Sequence, residues 1–253
     1  LYLELLICSY LLIISAYEWD NNLLFCANEK IKSRGPDNTN FKSINIDGLF
    51  VYCFHNLLDI SGSSILQPLE NEKKIFFFNG EIYSPKKDNI PDTNLLFENI
   101  NKGNFLNFLR NASGEFAITY VDKVKKEVNI FTDLIGTKPI YYASNSRSLA
   151  IASYSSSLAE LKFNDIDQVK PNSHLQINFN DLGNIKILNK KLYFLSLEQK
   201  INDYNSWNNS FLRSIKQRLI HFDTKIFVPL SSGYDSGAIC AGLNKSNIPY
   251  YTV

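Results

Sequence analysis

Between residues 44 and 179 the chain alternates short apolar runs with clusters of Asn, Gly and Asp. The runs at 49–54, 75–78, 116–121, 128–131, 140–142 and 149–152 are rich in Ile, Val, Phe and Tyr, which is how strands read. Helical spacing is confined to 95–100 and 105–109. Many strands with few helices between them predict stacked antiparallel sheets with helices outside. After about residue 200 the pattern changes. Trp207, Phe211, Ile215 and Leu219 recur at i+4 steps and predict a helix with one buried face, capped by Asn205 or Ser206. A buried strand at 225–230, a loop at 231–234, a helix at 235–243 and a strand at 250–253 follow. Strand, helix, strand with short loops opens a parallel α/β sheet. The boundary between the two patterns is expected between Lys190 and Tyr204, and no internal repeat is visible.

The first seventeen residues are almost wholly apolar and invite comparison with a signal peptide or membrane anchor. Against that, no positive segment precedes them and Glu4 interrupts them. Glu18 and Asp20 close the run before the roughly 20 apolar residues that a spanning helix needs. A buried strand over 10–15 fits these residues equally well. No methionine occurs anywhere, so Leu1 is not read as a natural start. The segment Pro249–Val253 reads as an interrupted strand, and a longer natural protein is expected.

Composition narrows the class. With 45% hydrophobic and 20% charged residues the chain is an ordinary folded protein, not a disordered or collagen-like one. The balance of 26 basic against 25 acidic residues gives no electrostatic reason to expect nucleic acid. Cys8, Cys26, Cys53 and Cys240 form no C-x-x-C pair, so neither a zinc site nor a disulfide framework is indicated, and reduced thiols in the cytoplasm are expected. Cys26 within a helix and Cys53 within a strand read as core residues. His174 and His221 read as surface or capping residues.

Four short motifs carry candidate chemistry. In Leu230-Ser231-Ser232-Gly233-Tyr234-Asp235-Ser236 a strand leads through small residues into a helix start, where free N–H groups and hydroxyls suit a phosphate-like anion. Asp235 would cap that helix or help hold magnesium, and a plain Ser-capped helix remains the alternative. Phe78-Asn79-Gly80-Glu81-Ile82-Tyr83 reads alone as a hairpin turn. Arg34-Gly35-Pro36-Asp37 reads as a helix stop, and Asp133-Leu134-Ile135-Gly136-Thr137-Lys138-Pro139-Ile140-Tyr141-Tyr142 as a turn between strands.

Taken in order, Arg-Gly-Pro-Asp, Asn-Gly-Glu-Ile-Tyr, Asp-x-x-Gly-x-Lys-Pro and Ser-x-Gly-x-Asp-Ser resemble the glutamine-dependent asparagine synthetase family, from about Cys8 to the last residue. The resemblance implies an α+β fold. A class II glutamine amidotransferase domain at 8–195, an αββα sandwich of the N-terminal-nucleophile hydrolase kind, would precede the beginning of a parallel α/β ATP-pyrophosphatase domain at 200–253. It implies Cys8 as nucleophile at a mature N-terminus, because an α-amine with a pKa of about 7.7–8.0 can take the thiol proton and an internal amide cannot. It assigns the oxyanion donors to Asn79 and Gly80, and the substrate α-ammonium to Glu81 and Asp92. For Asp92 an N-cap role is the alternative. Leu230, Ser231, Ser232, Gly233, Asp235 and Ser236 would bind ATP or its pyrophosphate, with Asp235 on the metal.

The sequence departs from the family at two places. Ser232 replaces the first glycine of the pyrophosphate loop. The stretch Cys53-Phe54-His55-Asn56-Leu57-Leu58-Asp59 lacks the arginine that clamps the substrate carboxylate, leaving His55 or Asn56 to substitute. The expected partners are glutamine, ATP with Mg2+, and aspartate or another carboxylate acceptor, without nucleic acid or membrane and with a homodimer left open. Two rivals stand beside this reading: a divergent amide- or lactam-forming synthetase with an inactive glutaminase half, and a degenerate non-enzymatic binding module.

Overall fold

The computed structural model describes residues 8–59, 65–86, 90–219 and 225–253. His221 and the segment ahead of Cys8 lie outside the described residues. The elements run β1 (Ser9–Ser15), α1 (Asn21–Lys32), β2 (Asn38–Ile46), β3 (Leu49–Leu57), β4 (Leu69–Glu70), β5 (Lys74–Ser84), α2 (Asp92–Asn101), α3 (Phe105–Asn111) and β6 (Ser113–Asp122). They continue with β7 (Glu127–Thr132), β8 (Tyr141–Asn145), β9 (Ser148–Ala152), α4 (Ser155–Glu160), β10 (Ile166–Gln168), β11 (Ser173–Asn178) and β12 (Lys186–Lys191). Last come α5 (Tyr204–Leu219), β13 (Phe227–Val228), α6 (Tyr234–Lys245) and β14 (Tyr251–Thr252). Two compact units result, one ending at Phe194 and the other beginning at Leu195.

The first unit is two antiparallel sheets, ordered β10-β8-β9-β1-β3-β2 and β12-β11-β7-β6-β5-β4. Alternation along the strands sorts the side chains into three layers. Tyr10, Leu12, Ile14, Val51 and Cys53 meet Ile75, Phe77, Ala117 and Ile130 between the sheets. Leu11, Ile13, Tyr52 and Phe54 pack beneath α1 and α4 through Leu24, Ala27, Ile31 and Leu158. Phe76, Phe78, Ile82, Phe116 and Ile118 pack beneath α2 and α3 through Leu96, Ile100, Phe105 and Leu109. The layers therefore run helix, sheet, sheet, helix, as the resemblance implied. Every residue of β1 is buried, because it is a central strand paired with β3 and β9 and covered on both faces. That location accounts for its unbroken apolar run. No helix among the described residues is long and apolar enough to cross a membrane.

One side chain ties four elements together. The Asn56 Nδ2 donates to Ser9 Oγ at 3.0 Å and to Asn28 Oδ1 at 2.9 Å. Its Oδ1 accepts from Asn28 Nδ2 at 3.2 Å and from Thr39 Oγ1 at 2.9 Å. Both donors and both acceptor positions of the amide are thus used. Asn56 is consistent with a scaffold role and is not available to replace the expected arginine.

Several expectations need correction. His174 is buried, with Nε2 2.9 Å from Asn129 Oδ1 and its ring stacked on Phe131, and is not a surface residue. Cys53 is buried, but Cys26 lies on the exposed side of α1, since helix membership alone does not say which face a residue takes. The cap of α5 is Asp203, whose Oδ1 accepts from Asn205 N at 2.8 Å and from Ser206 N at 3.3 Å. Trp207 of α5 is exposed, so the predicted buried face reduces to Ile215 with Phe211 and Leu219 partly covered. In the second unit β13 and β14 pair in parallel, but both are shorter than the apolar runs suggested, and Phe227, Leu230, Tyr251 and Val253 are exposed. A two-stranded sheet has too few neighbours to bury them.

Replacing Asn56 by Leu would take away the amide partner of Asn28 and the acceptor of the Thr39 hydroxyl, while Ser9 Oγ keeps its bond to Ile31 O at 2.7 Å. A loss of about 3 kcal/mol or more is expected in urea unfolding, at about 1–3 kcal/mol per unsatisfied group.

Candidate functional site

β1 begins at Ser9, so Cys8 stands at the mouth of the sandwich beside the carboxyl end of β3. Its Sγ accepts the Leu58 N–H at 3.3 Å. Burial pushes the thiol pKa up, and the nearby carboxylates of Glu81 and Asp37 add to that rise against the backbone donors. The thiol is therefore protonated near neutrality and needs a base before it can attack anything.

The opposite wall comes from β5. Phe77, Asn79 and Glu81 project to one face of this strand, because side chains alternate. Phe77 stacks on Tyr10 with ring centroids 4.9 Å apart, and the charge of Glu81 reaches Cys8. Asn79 lies between them on the strand and so faces the Cys8 end of β1. Its Nδ2 is buried and finds no acceptor among the described residues. A buried amide donor left unpaired is costly unless a ligand atom takes it. Gln67 locks the backbone just before it, donating from Nε2 to Phe78 O at 2.9 Å and accepting from Phe78 N at 2.6 Å. Gly80 has φ +146°, and a Cβ there would sit 2.0 Å from the Glu115 carbonyl, so only glycine fits.

Glu81 and Asp92 come together as a carboxylate pair. Asp92 is the first residue of α2, but it makes no N-cap bond. Its Oδ2 instead accepts the Ile82 N–H across the gap to β5 at 2.8 Å. Burial, with repulsion from Asp92, pushes the Glu81 carboxyl up to about 7, while Lys86 and Lys138 pull the other way. Lys86 Nζ lies 3.8 Å from Glu81 Oε2 and 3.7 Å from Asp92 Oδ1.

The remaining motifs buttress this corner. Asp133 accepts from Phe116 N at 2.9 Å and Gly136 N at 2.9 Å, and also from the Thr137 hydroxyl, which folds the Asp-x-x-Gly turn against β6. Lys138 then pairs with Glu115 at 3.6 Å, directly across the ladder from Glu81. Gly35 lets the end of α1 approach β3 so closely that a Cβ would stand 2.1 Å from Asn56 O. Beyond it, Asp37 accepts the Asp59 N–H at 2.7 Å.

His55 does not supply the cation expected of it. The ring is fully buried in the layer between the sheets, both nitrogens lack partners, and burial lowers its pKa to about 3. A neutral imidazole offers a carboxylate at most one N–H and no charge. Leu57 beside it is buried and apolar. Two contributors escaped the sequence reading: Lys86, which sits in a loop with no periodic signal, and Gln67, whose role depends on a strand distant in sequence.

In the second unit, Gly233 precedes α6 and no side chain caps that helix. Ser231 Oγ accepts the Gly233 N–H at 3.1 Å and lies 3.1 Å from Ser236 Oγ, folding the loop on itself. Leu230 is anchored by its N–H to Val253 O at 3.0 Å. Asp235 lies exposed in the first turn of α6 and is not its cap, and Ser232 is exposed beside it. No group of three potential metal ligands occurs among the described residues.

Comparison with known proteins adds an independent line. The family described as glutamine amidotransferase domain matches residues 7–189. Glutamine-hydrolysing asparagine synthetase of Rattus norvegicus is 24% identical over 261 residues, which cover 87% of this chain and 46% of that protein. The enzyme of Homo sapiens is 24% identical over 251 residues, covering 85% and 45%. A putative asparagine synthetase of Methanocaldococcus jannaschii is 25% identical over 210 residues, covering 73% and 39%. The chain thus spans less than half the length of these relatives. Among solved structures, glutamine phosphoribosylpyrophosphate amidotransferase from B. subtilis, complexed with ADP and GMP, superposes with a TM-score of 0.57. It is 14% identical, over 96% of this chain and 65% of that one, a likeness of fold alone.

The raised Glu81 carboxyl has a consequence for stability. Its folded pKa, about 7, exceeds the ordinary 4.5, so the folded state holds the proton more tightly. Stability from this group is present below the unfolded pKa and falls as pH rises through about 7. Glu81→Gln, which cannot ionise, is expected to unfold at higher denaturant than the wild type at pH 8, with the gap narrowing towards pH 5. Parallel denaturation curves across that range check it.

Proposed function

The chain belongs to the glutamine amidotransferase domain family, and from that premise we propose that it hydrolyses glutamine at Cys8 and feeds the ammonia to an ATP-dependent amidation. The observation that carries the first half is the buried, unpaired Nδ2 of Asn79, on the face of β5 from which Phe77 stacks on Tyr10, two residues beyond Cys8. Asn79 Nδ2 and the Gly80 N–H would receive the oxygen of the tetrahedral intermediate, where fixed donors are most effective. The Cys8 α-amine removes the thiol proton as sulfur attacks the carboxamide carbon, then returns it to the departing ammonia. Water, deprotonated by the same amine, cleaves the thioester to glutamate. A thiol whose pKa burial raises calls for a nearby base, the role this proposal gives to a free α-amine on Cys8. Glu81 and Asp92 would hold the substrate α-ammonium.

For the second half, an uncapped helix start with serine hydroxyls beside it fits a phosphate group. Leu230, Ser231, Ser232, Gly233 and Ser236 would hold the pyrophosphate portion of ATP, and Asp235 would supply one ligand to Mg2+. ATP there provides the energy to activate a carboxylate as its adenylate, with aspartate the default acceptor. The similarity to glutamine-hydrolysing asparagine synthetases supports this reading, and a cytoplasmic setting is part of the proposal. A homodimer stays open.

One observation favours a rival. Residues 53–59 present a neutral His55, an Asn56 with every valence used and an apolar Leu57, so this strand end carries no charge for a substrate carboxylate. A divergent amide- or lactam-forming synthetase with a silent glutaminase half would have this feature. Glutamate release separates the two.

A chain beginning at Cys8 is expected to release glutamate from glutamine, and one extended ahead of Cys8 is not. Cys8→Ala should abolish release and Cys26→Ala should spare it. Asn79→Ala should slow it by about 10²–10³-fold. Equal loss in the two cysteine variants, both folded, would remove Cys8 as nucleophile. In a longer protein that includes the rest of the second domain, Asp235→Asn should suppress magnesium-dependent pyrophosphate release while glutamate release stays within about twofold, the two sites belonging to different units.

A further inference from the structure

The carboxylate pair assigned to the substrate already has an ammonium beside it. Lys86 Nζ stands 3.8 Å from Glu81 Oε2 and 3.7 Å from Asp92 Oδ1, with its side chain 18% exposed. Both separations exceed ordinary hydrogen-bond length, so the ammonium lies between two acids without being locked to either. The tether is short, since Lys86 follows β5 by two residues. The same two carboxylates, on β5 and at the start of α2, are those that would receive a glutamine α-ammonium.

We propose that Lys86 is a specificity-determining residue: a tethered ammonium that occupies the α-ammonium subsite and must be displaced before an α-amino substrate binds. This rests on the assignment of Glu81 and Asp92 to that subsite. Above the Glu81 pKa of about 7, where both carboxylates are ionised, Lys86 cuts the net negative charge an incoming ammonium meets from two to one. A substrate that ends in the same carboxamide but lacks the α-ammonium meets no such competitor. The pocket therefore discriminates less between the two kinds of amide than the carboxylate pair alone would. Glu81 keeps a raised pKa even with Lys86 present, in accord with a loose pairing that the cation can leave. If Lys86 covers the pair roughly nine-tenths of the time, the apparent affinity for an α-amino ligand falls about tenfold.

The test measures binding by calorimetry in a Cys8→Ala background, where no turnover occurs, with L-glutamine and with glutaramate, its analogue without the α-amine. Adding Lys86→Met is expected to tighten glutamine about tenfold and leave glutaramate within about twofold, while Lys86→Arg stays near the parent. Lys86→Gln serves as the second neutral variant should Lys86→Met not fold, as judged by thermal melting. Unchanged or weakened glutamine binding in the neutral variants, or an equal change for both ligands, overturns the proposal and leaves the glutaminase reading standing. Failure of the parent and the neutral variants to bind glutamine at all overturns that reading, and this proposal with it.

Discussion

Burial of β1 on both faces and both edges is the constraint on which the first unit depends. A strand with no exposed residue must have a ladder on each side, supplied by β3 and β9, and an apolar layer above and below. The layer below is closed by α1 and α4. The layer above needs a second sheet, and the aromatic contact between Tyr10 and Phe77 brings the two sheets together near their common mouth. Tyr10 also bonds Thr119 across that layer at 2.9 Å, so its hydroxyl is satisfied inside an otherwise apolar interior. Cys8 stands where it does because it is the residue before this strand.

Polar groups collect where the apolar layers run out. At that end the sandwich holds Asn56 with all its bonds made, Asn79 with its Nδ2 unpaired, and His55 with neither nitrogen paired. The contrast separates scaffold from candidate chemistry better than burial does, because all three side chains are buried. Native interiors leave few polar groups unsatisfied, and those that remain mark places where a ligand or water completes the bonding. The carboxylate pair follows the same logic in electrostatic form. Two acids share a partly buried corner, one of them is pushed to a pKa of about 7, and a single lysine sits between them.

The backbone at the site is held by contacts distant in sequence. Gln67 pairs with both backbone groups of Phe78 as a strand neighbour would, which fixes the approach to Asn79 and Gly80. Asp133 gathers the N–H groups of its own turn and that of Phe116, and Gly35 and Gly80 allow approaches that any Cβ would block. Three motifs that read locally as a helix stop, a hairpin turn and a strand connection therefore serve one corner of the sandwich. The second unit, as far as its described residues go, is simpler: a two-stranded parallel ladder, two helices and a serine loop whose hydroxyls bond within the loop, mostly to its own backbone.

The sequence by itself determined the elements with strong periodicity and the order of the motifs. Apolar runs marked β1, β3 and β5 to β9, and i+4 spacing marked α5, because these patterns record which faces an element buries, whereas the edge strands β2 and β12, with at most one buried residue each, carry no such run. Four ordered motifs carried the family resemblance and pointed to Cys8, Asn79 and the serine loop. Only the tertiary structure decided what each polar residue near the site touches. It gave Asn56 to the scaffold, left His55 neutral, exposed Cys26, buried His174 and set Lys86 against two carboxylates. The reason is physical: burial of a face is written in local periodicity, whereas a hydrogen bond or a shifted pKa depends on groups brought together from separate strands, and no window of sequence contains both partners.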